Sequence, residues 1–208
     1  MKKENHLLQS HPWHGISPGE KAPEIVTAFI EMAPLDTVKY EIDKASGHLK
    51  LDRPHKYSSL CPSLYGFIPQ TYCDEQVAAF AHEKGAKNVT SGDKDPIDIC
   101  VFTERPIHRG GILVSARPIG GFRIIDKGEA DDKIIAVLVD DAVYGDFTDL
   151  SQVPKKLIDR LRHYFLTYKE IPETSKGKPI IELEAVYGVK EAMEVINKSF
   201  EDYKRVFK

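Results

Sequence analysis

The chain carries only three cysteines, three methionines and one tryptophan in 208 residues. Cys61, Cys73 and Cys100 cannot all pair, and their spacing matches no zinc finger or ribbon. Neither a disulfide scaffold nor a structural zinc site is therefore expected. No apolar run approaches the roughly 20 residues that span a bilayer, so no membrane partner is expected. The first twenty residues lack the apolar stretch and small-residue cleavage site of a secretory signal, which leads to the expectation of reduced thiols in a cytoplasm. A strong excess of one charge is missing too, with 29 Lys and Arg against 32 Asp and Glu and a formal net charge of -3. That balance offers no general attraction to nucleic acid or to an anionic membrane. At 41% hydrophobic and 29% charged residues, with 14 Gly and 13 Pro, the compositional bias of disordered, collagen-like or coiled-coil chains is also absent. What remains is a globular chain, long enough to bury about 70% of its unfolded surface.

There is no internal repeat. Pro12, Gly15, Pro18 and Gly19 mark residues 1–20 as an extended arm ahead of a single domain over 21–208. A strand fits Ile25 to Met32. The next segment, from Val38 to Asp43, alternates, so Val38, Tyr40 and Ile42 face a core while Lys39, Glu41 and Asp43 share the other face. Further strands are expected at Ile97–Thr103, Ile112–Pro118, Gly121–Ile125 and Ile134–Val139, with Gly110-Gly111 and Gly120-Gly121 as breaks. The segment Asp74–Gly92 is polar and reads as a surface excursion. After Pro154 the period changes: Leu157, Ile158, Leu161, Phe165 and Tyr168 recur at helical spacing. A short strand over Pro179–Val186 leads to a last helix with Val189, Met193, Ile196, Phe200 and Tyr203 on one stripe. Short strands first and two helices later imply an α+β fold, a small closed barrel with helices against it.

The charge is unevenly spread. Twelve Asp and Glu face seven Lys and Arg between Asp93 and Asp149. Within that stretch, Asp93, Asp95 and Asp98 fall in six residues where a loop enters a strand. Hard divalent cations take several oxygens, so such clusters are natural ligand sets. An EF-hand loop is excluded, because its sixth position would be Asp98 where glycine is required. A second acidic cluster runs from Asp126 to Lys133 between two strands. Cations stand in acidic company: Lys39 beside Glu41, Arg53 after Asp52, Tyr168-Lys169 at a helix end, then Lys176-Gly177-Lys178. Carboxylates opposite Lys, Arg and Tyr describe a pocket for a small polyanion bridged by metals, and phosphates suit it best because Mg2+ binds through a few carboxylates plus phosphate oxygens. No Walker sequence is present, which excludes a P-loop nucleotide fold.

Asp93-Lys94-Asp95-Pro96-Ile97-Asp98 fits the D-x-D-P-x-D signature, and over about Phe29–Phe200 the chain resembles the soluble family I inorganic pyrophosphatases. The same order holds for Lys39-Tyr40-Glu41, Asp52-Arg53, Tyr65-Gly66, Asp126 to Lys133, Tyr168-Lys169 and Lys176-Gly177-Lys178. The resemblance implies a five-stranded OB-type β-barrel with two main flanking α-helices. It also implies hydrolysis of pyrophosphate by water activated on several Mg2+ ions. By the same resemblance Asp93, Asp98, Asp126, Asp131 and Glu41 are metal ligands, and Glu31 helps arrange metal-bound water. Asp95 is the proton acceptor. Lys39, Arg53, Lys133, Tyr168 and Lys169 bind phosphoryl groups, supported by Tyr65 and Lys178. Members assemble as hexamers or dimers, so a homo-oligomer is expected. Cys61 stands where the family usually has Tyr.

Two other functions compete. A metal-dependent phosphohydrolase for nucleotides or polyphosphate would want a base-binding aromatic pair or Gly-rich loop, and neither is evident. An OB-type module for single-stranded nucleic acid would need a basic groove with stacking aromatics, whereas these strand ends are acidic.

Overall fold

The computed structural model describes residues 10–169 and 181–208. The strands are β1 (Val26–Met32), β2 (Val38–Ile42), β3 (Leu49–Pro54), β4 (Leu64–Phe67), β5 (Ser91–Gly92), β6 (Asp98–Phe102), β7 (Ile112–Asp126), β8 (Glu129–Ala130), β9 (Lys133–Leu138) and β10 (Ile181–Gly188). The helices are α1 (Glu75–Glu83), α2 (Lys155–Thr167) and α3 (Val189–Phe207). Five strands pair in the order β1-β4-β6-β9-β7, and β7 pairs back onto β1, which closes a ring. Closure of this kind removes the exposed edges that an open sheet must protect. The α+β class and the five-stranded ring agree with the sequence reading. Among the described residues no helix is long and apolar enough to cross a membrane.

Alternation along β6 shows how the ring is filled. Ile99 and Val101 point into one core with Ile30, Leu64, Ala116, Ile134 and Ala136, which α1 and α3 complete. Cys100 and Phe102 point the other way, toward Phe122, Ile135, Val137 and the Leu161 and Phe165 of α2. Each large apolar side chain so buried stabilises the fold by about 1.5–3 kcal/mol. β2 and β3 form a separate hairpin beside β1.

Several expectations are corrected. β7 is one strand of 15 residues that continues through the Gly120-Gly121 pair expected to break it, with only a register shift against β9 between Pro118 and Gly120. The glycines serve close approach instead: a Cβ on Gly121 would sit 2.4 Å from the Tyr187 ring of β10. The surface excursion contains α1, whose Val77, Phe80 and Ala81 are buried. Its hydrophobic positions are few, and what anchors it is remote in sequence, a carboxylate of α3. Asp202 accepts from the backbone N–H groups of Asp74, Gln76 and Val77 at 2.9–3.1 Å. Among the described residues α1 thus joins the two main helices, α2 and α3, against the sheet. On α3, Ile196 and Tyr203 of the expected stripe are buried and Phe200 packs against the core, whereas Val189 and Met193 are only half-buried and Ala192, Val195, Ser199 and Asp202 complete the buried face. β3 and β4 had no clear period and lie outside the expected strands.

Candidate active site

Strand register, not sequence proximity, assembles the acidic loops. Asp98 opens β6 and is paired in parallel with Lys133, which opens β9. β5 pairs in parallel with β8, Gly92 opposite Ala130, so Asp93 and Asp131 leave the same short sheet side by side. Asp126 ends β7 opposite Glu129. On the facing wall, the β2 side chains Lys39 and Glu41 point inward, with Lys39 opposite Arg53 of β3. Glu31 comes from β1, and Tyr168 with Lys169 from the end of α2.

These elements enclose a cavity of about 230 Å³. It is lined by all seven carboxylates singled out from sequence, Glu31, Glu41, Asp93, Asp95, Asp98, Asp126 and Asp131, and by Lys39, Tyr65, Lys133, Tyr168 and Lys169. Arg53 borders an adjoining cavity that shares Tyr168 and Lys169. Lys178 lies outside the described residues. Two charged lining residues escaped the sequence reading, Lys44 and Glu129. Glu129 belonged to a cluster already noted, whereas nothing local marked Lys44.

The floor is densely charged. Tyr65 donates to Asp98 Oδ2 at 2.6 Å, and the Lys133 ammonium bridges Asp98 and Asp131. Lys169 Nζ lies 2.5 Å from Asp126 Oδ2. Lys39 Nζ reaches Glu41 at 3.0 Å and Asp52 at 3.2 Å. Burial, then the neighbouring Asp131, push the Asp93 carboxyl well above the usual carboxylate range. Glu31 is 6% exposed, accepts from the Ile42 N–H at 2.7 Å, and is pushed up to about 8 chiefly by burial. Lys133 is raised as well, but by the opposite balance: burial disfavours its charge, while Asp131 and Asp98 hold its pKa well above that of an ordinary lysine. More negative charge is gathered than the lysines neutralise, and Asp126 Oδ1 is buried with no hydrogen-bond partner among the described residues.

The donors are all oxygens, which fits hard divalent cations. Among the described residues no three carboxylates already converge on one point, since Lys133 stands between two of them. That arrangement suits an ion held by one or two carboxylates plus waters and phosphate oxygens better than one needing a complete protein cage.

None of the three cysteines lines this cavity. All are buried and unpaired, and Cys61 sits 3.7 Å from Ser63 Oγ in the core beneath α2. Burial pushes its thiol up to about 11, as expected for an inert packing residue.

The chain is similar to known proteins in sequence and in fold. The family profile described as inorganic pyrophosphatase matches residues 28–204. The inorganic pyrophosphatase of Chlamydia caviae is 50% identical over 209 residues, covering 100% of this chain and 97% of its own. Soluble inorganic pyrophosphatase 1 of Arabidopsis thaliana is 38% identical over 163 residues, covering 78% of this chain and 68% of its own. Among solved structures, inorganic pyrophosphatase from Thermus thermophilus superimposes with a TM-score of 0.77 at 29% identity, over 94% of this chain and 99% of that one. The enzyme from Neisseria gonorrhoeae gives 0.73 at 30% identity, over 91% and 96%.

Proposed function

This chain belongs to the inorganic pyrophosphatase family, and from that premise we infer that it hydrolyses pyrophosphate to two orthophosphates in the acidic cavity. The observation that carries the reading is one cavity in which a carboxylate floor meets a wall of Lys39, Lys133, Lys169 and Tyr168. The family implies a divalent metal, and we propose Mg2+, with Asp93, Asp98, Asp126, Asp131 and Glu41 as the residues that would hold it and Glu31 ordering water beside them. When bound, such ions supply Lewis acidity that makes a water acidic near neutral pH and offsets phosphate charge.

The chain's own residues have defined tasks in this reading. Asp95, whose side chain is 45% exposed to the cavity, accepts the proton of the attacking water. Lys39, Arg53, Lys133, Tyr168 and Lys169 bind the phosphoryl oxygens and stabilise charge as it moves to the leaving phosphate. Tyr65 orients Asp98 through its short hydrogen bond, and Lys178 supports the phosphate side. An in-line displacement of this kind needs no covalent intermediate. Action in the cytoplasm as a homo-oligomer belongs to the same reading.

The test is orthophosphate release from pyrophosphate by the purified protein, with Mg2+ and then with excess chelator. Rapid release abolished by chelation is expected. Release that is insensitive to the chelator would overturn the metal-dependent mechanism, and no release from folded, Mg2+-loaded protein would overturn the substrate.

A further inference from the structure

Lys44 has no part in the roles set out above, yet its ammonium enters the cavity and pairs with Asp95 Oδ1. It lies just past the end of β2, in a turn where Asp43 Oδ1 accepts from Ser46 N at 2.9 Å and Gly47 N donates to Asp43 O at 2.7 Å. A side chain this long, more than half exposed, would ordinarily sample many rotamers and gain little from one surface pair. Here the backbone beneath it is clamped from outside the turn. His11 Nε2 contacts the Lys44 carbonyl at 3.1 Å. His11 Nδ1 accepts from the Trp13 N–H at 3.2 Å, so the ring proton is left on Nε2 and His11 donates to that carbonyl. Gly47 accepts the arm at close range, since a Cβ there would stand 2.7 Å from Pro12 Cδ and 2.9 Å from the His11 ring.

The arm is itself anchored to the opposite wall. Trp13, 4% exposed, donates through Nε1 to the Thr71 carbonyl at 2.8 Å. Thr71 Oγ1 accepts from the Ile97 N–H at 2.9 Å, within the segment that carries Asp95 and Asp98. Gln70 N donates to Trp13 O at 2.8 Å, and Gln70 Nε2 to Ile16 O at 3.0 Å. Residues 11–16 thus tie together the two walls between which Lys44 and Asp95 meet. They lie outside the span 28–204 that the family profile matches.

We propose that Lys44 is a positioning residue for Asp95, and that the arm, through His11, Pro12 and Trp13, holds Lys44 in place. The ammonium fixes one carboxylate oxygen of Asp95 and leaves the other to receive the proton. This rests on the reading of Asp95 as proton acceptor, which Asp95→Asn tests separately: that variant loses about 100-fold or more in kcat if the acceptor role is right. A misaligned acceptor slows the chemical step without weakening substrate binding.

Steady-state kinetics at saturating Mg2+ on the full chain separate the two ideas. Lys44→Met is expected to lower kcat by about tenfold, with KM changed by less than about twofold, and Lys44→Arg to recover most of that loss. His11→Ala is expected to lower kcat in the same way and to add almost nothing in the Lys44→Met background, the non-additivity of residues acting through one another. In metal-free protein, His11→Ala should also speed amide exchange of Ser46 and Gly47. Wild-type kcat in Lys44→Met alongside an inactive Asp95→Asn would overturn the positioning role while leaving the acceptor. A Lys44→Met effect confined to KM would overturn it too, as would fully additive losses in the double variant. Near-wild-type kcat in Asp95→Asn would instead remove the acceptor reading on which the inference stands.

Discussion

Replacing Gly92 by alanine tests how rigidly the aspartate loop is held. Gly92 ends β5 and directly precedes Asp93. A Cβ at this position would lie 2.3 Å from the Cys73 carbonyl oxygen, 2.4 Å from its carbon and 2.7 Å from Asp74 N. All three are backbone atoms, and none can easily withdraw. Cys73 N donates to Asp95 O at 2.8 Å, and Lys94 N donates to Cys73 O at 3.0 Å. Asp74 N is held in turn by Asp202 at 2.9 Å. Ordinary contact between such atoms is about 3.5 Å, so the loop has to move by about 1 Å. Forced overpacking of this kind costs about 1–3 kcal/mol, and a chain of this length then melts roughly 2–12 °C lower. Because Asp93 and Asp95 ride on the displaced loop, a shift of about 1 Å at the reacting groups is expected to lower kcat about 100-fold. Phosphate release measured beside a thermal melt reads both effects. Unchanged kcat and unchanged melting temperature would show that the loop is not braced by Cys73 and would refute the reasoning.

Two further outcomes follow from the buried titratable groups. Glu31 rises from 4.5 to about 8 on folding without metal, so the folded state holds its proton more tightly than the unfolded chain does. Stability of the metal-free protein should therefore fall by on the order of a few kcal/mol as pH rises from about 4.5 to about 8, then level off. Glu31→Gln removes the titrating group and should flatten that slope in urea titrations, and an equal slope in both proteins would refute the assignment. Cys61, buried and pushed up to about 11, should resist iodoacetamide at pH 8 in the native protein and react once unfolded. Mass spectrometry showing rapid native labelling at Cys61 would contradict its placement in the core.

Much of the chemistry was legible in the residues themselves. Three aspartates within six positions, Asp93, Asp95 and Asp98, state an oxygen-ligand site regardless of fold, since hard cations recruit that donor set. The alternation of Val38–Ile42 already put Lys39 and Glu41 on one face, and both line the cavity. The helix α2 was visible because its apolar side chains recur at 3.6-residue spacing over three turns. The residues that escaped notice have local sequence that says nothing of their partners. α1 has a weak apolar pattern and depends on Asp202, more than 120 positions away. The glycine pair at 120 and 121 looks like a turn until β10 is seen crossing it. Lys44 is one lysine among many until the arm and Asp95 are found on either side of it.

Composition and motif spacing by themselves pointed to a pocket for metals and a phosphate-like polyanion, because ligand chemistry depends on which side chains are present and closely spaced, and the resemblance to a family added the reaction. The tertiary structure decided how far their protons and charges are perturbed. Asp93 and Asp131 share a neighbourhood because two short strands pair in parallel, and Glu31 holds its proton near neutral pH because β1 is buried. Desolvation and Coulomb interaction depend on distance through space, and no spacing along a chain encodes that distance until the ring of strands has closed.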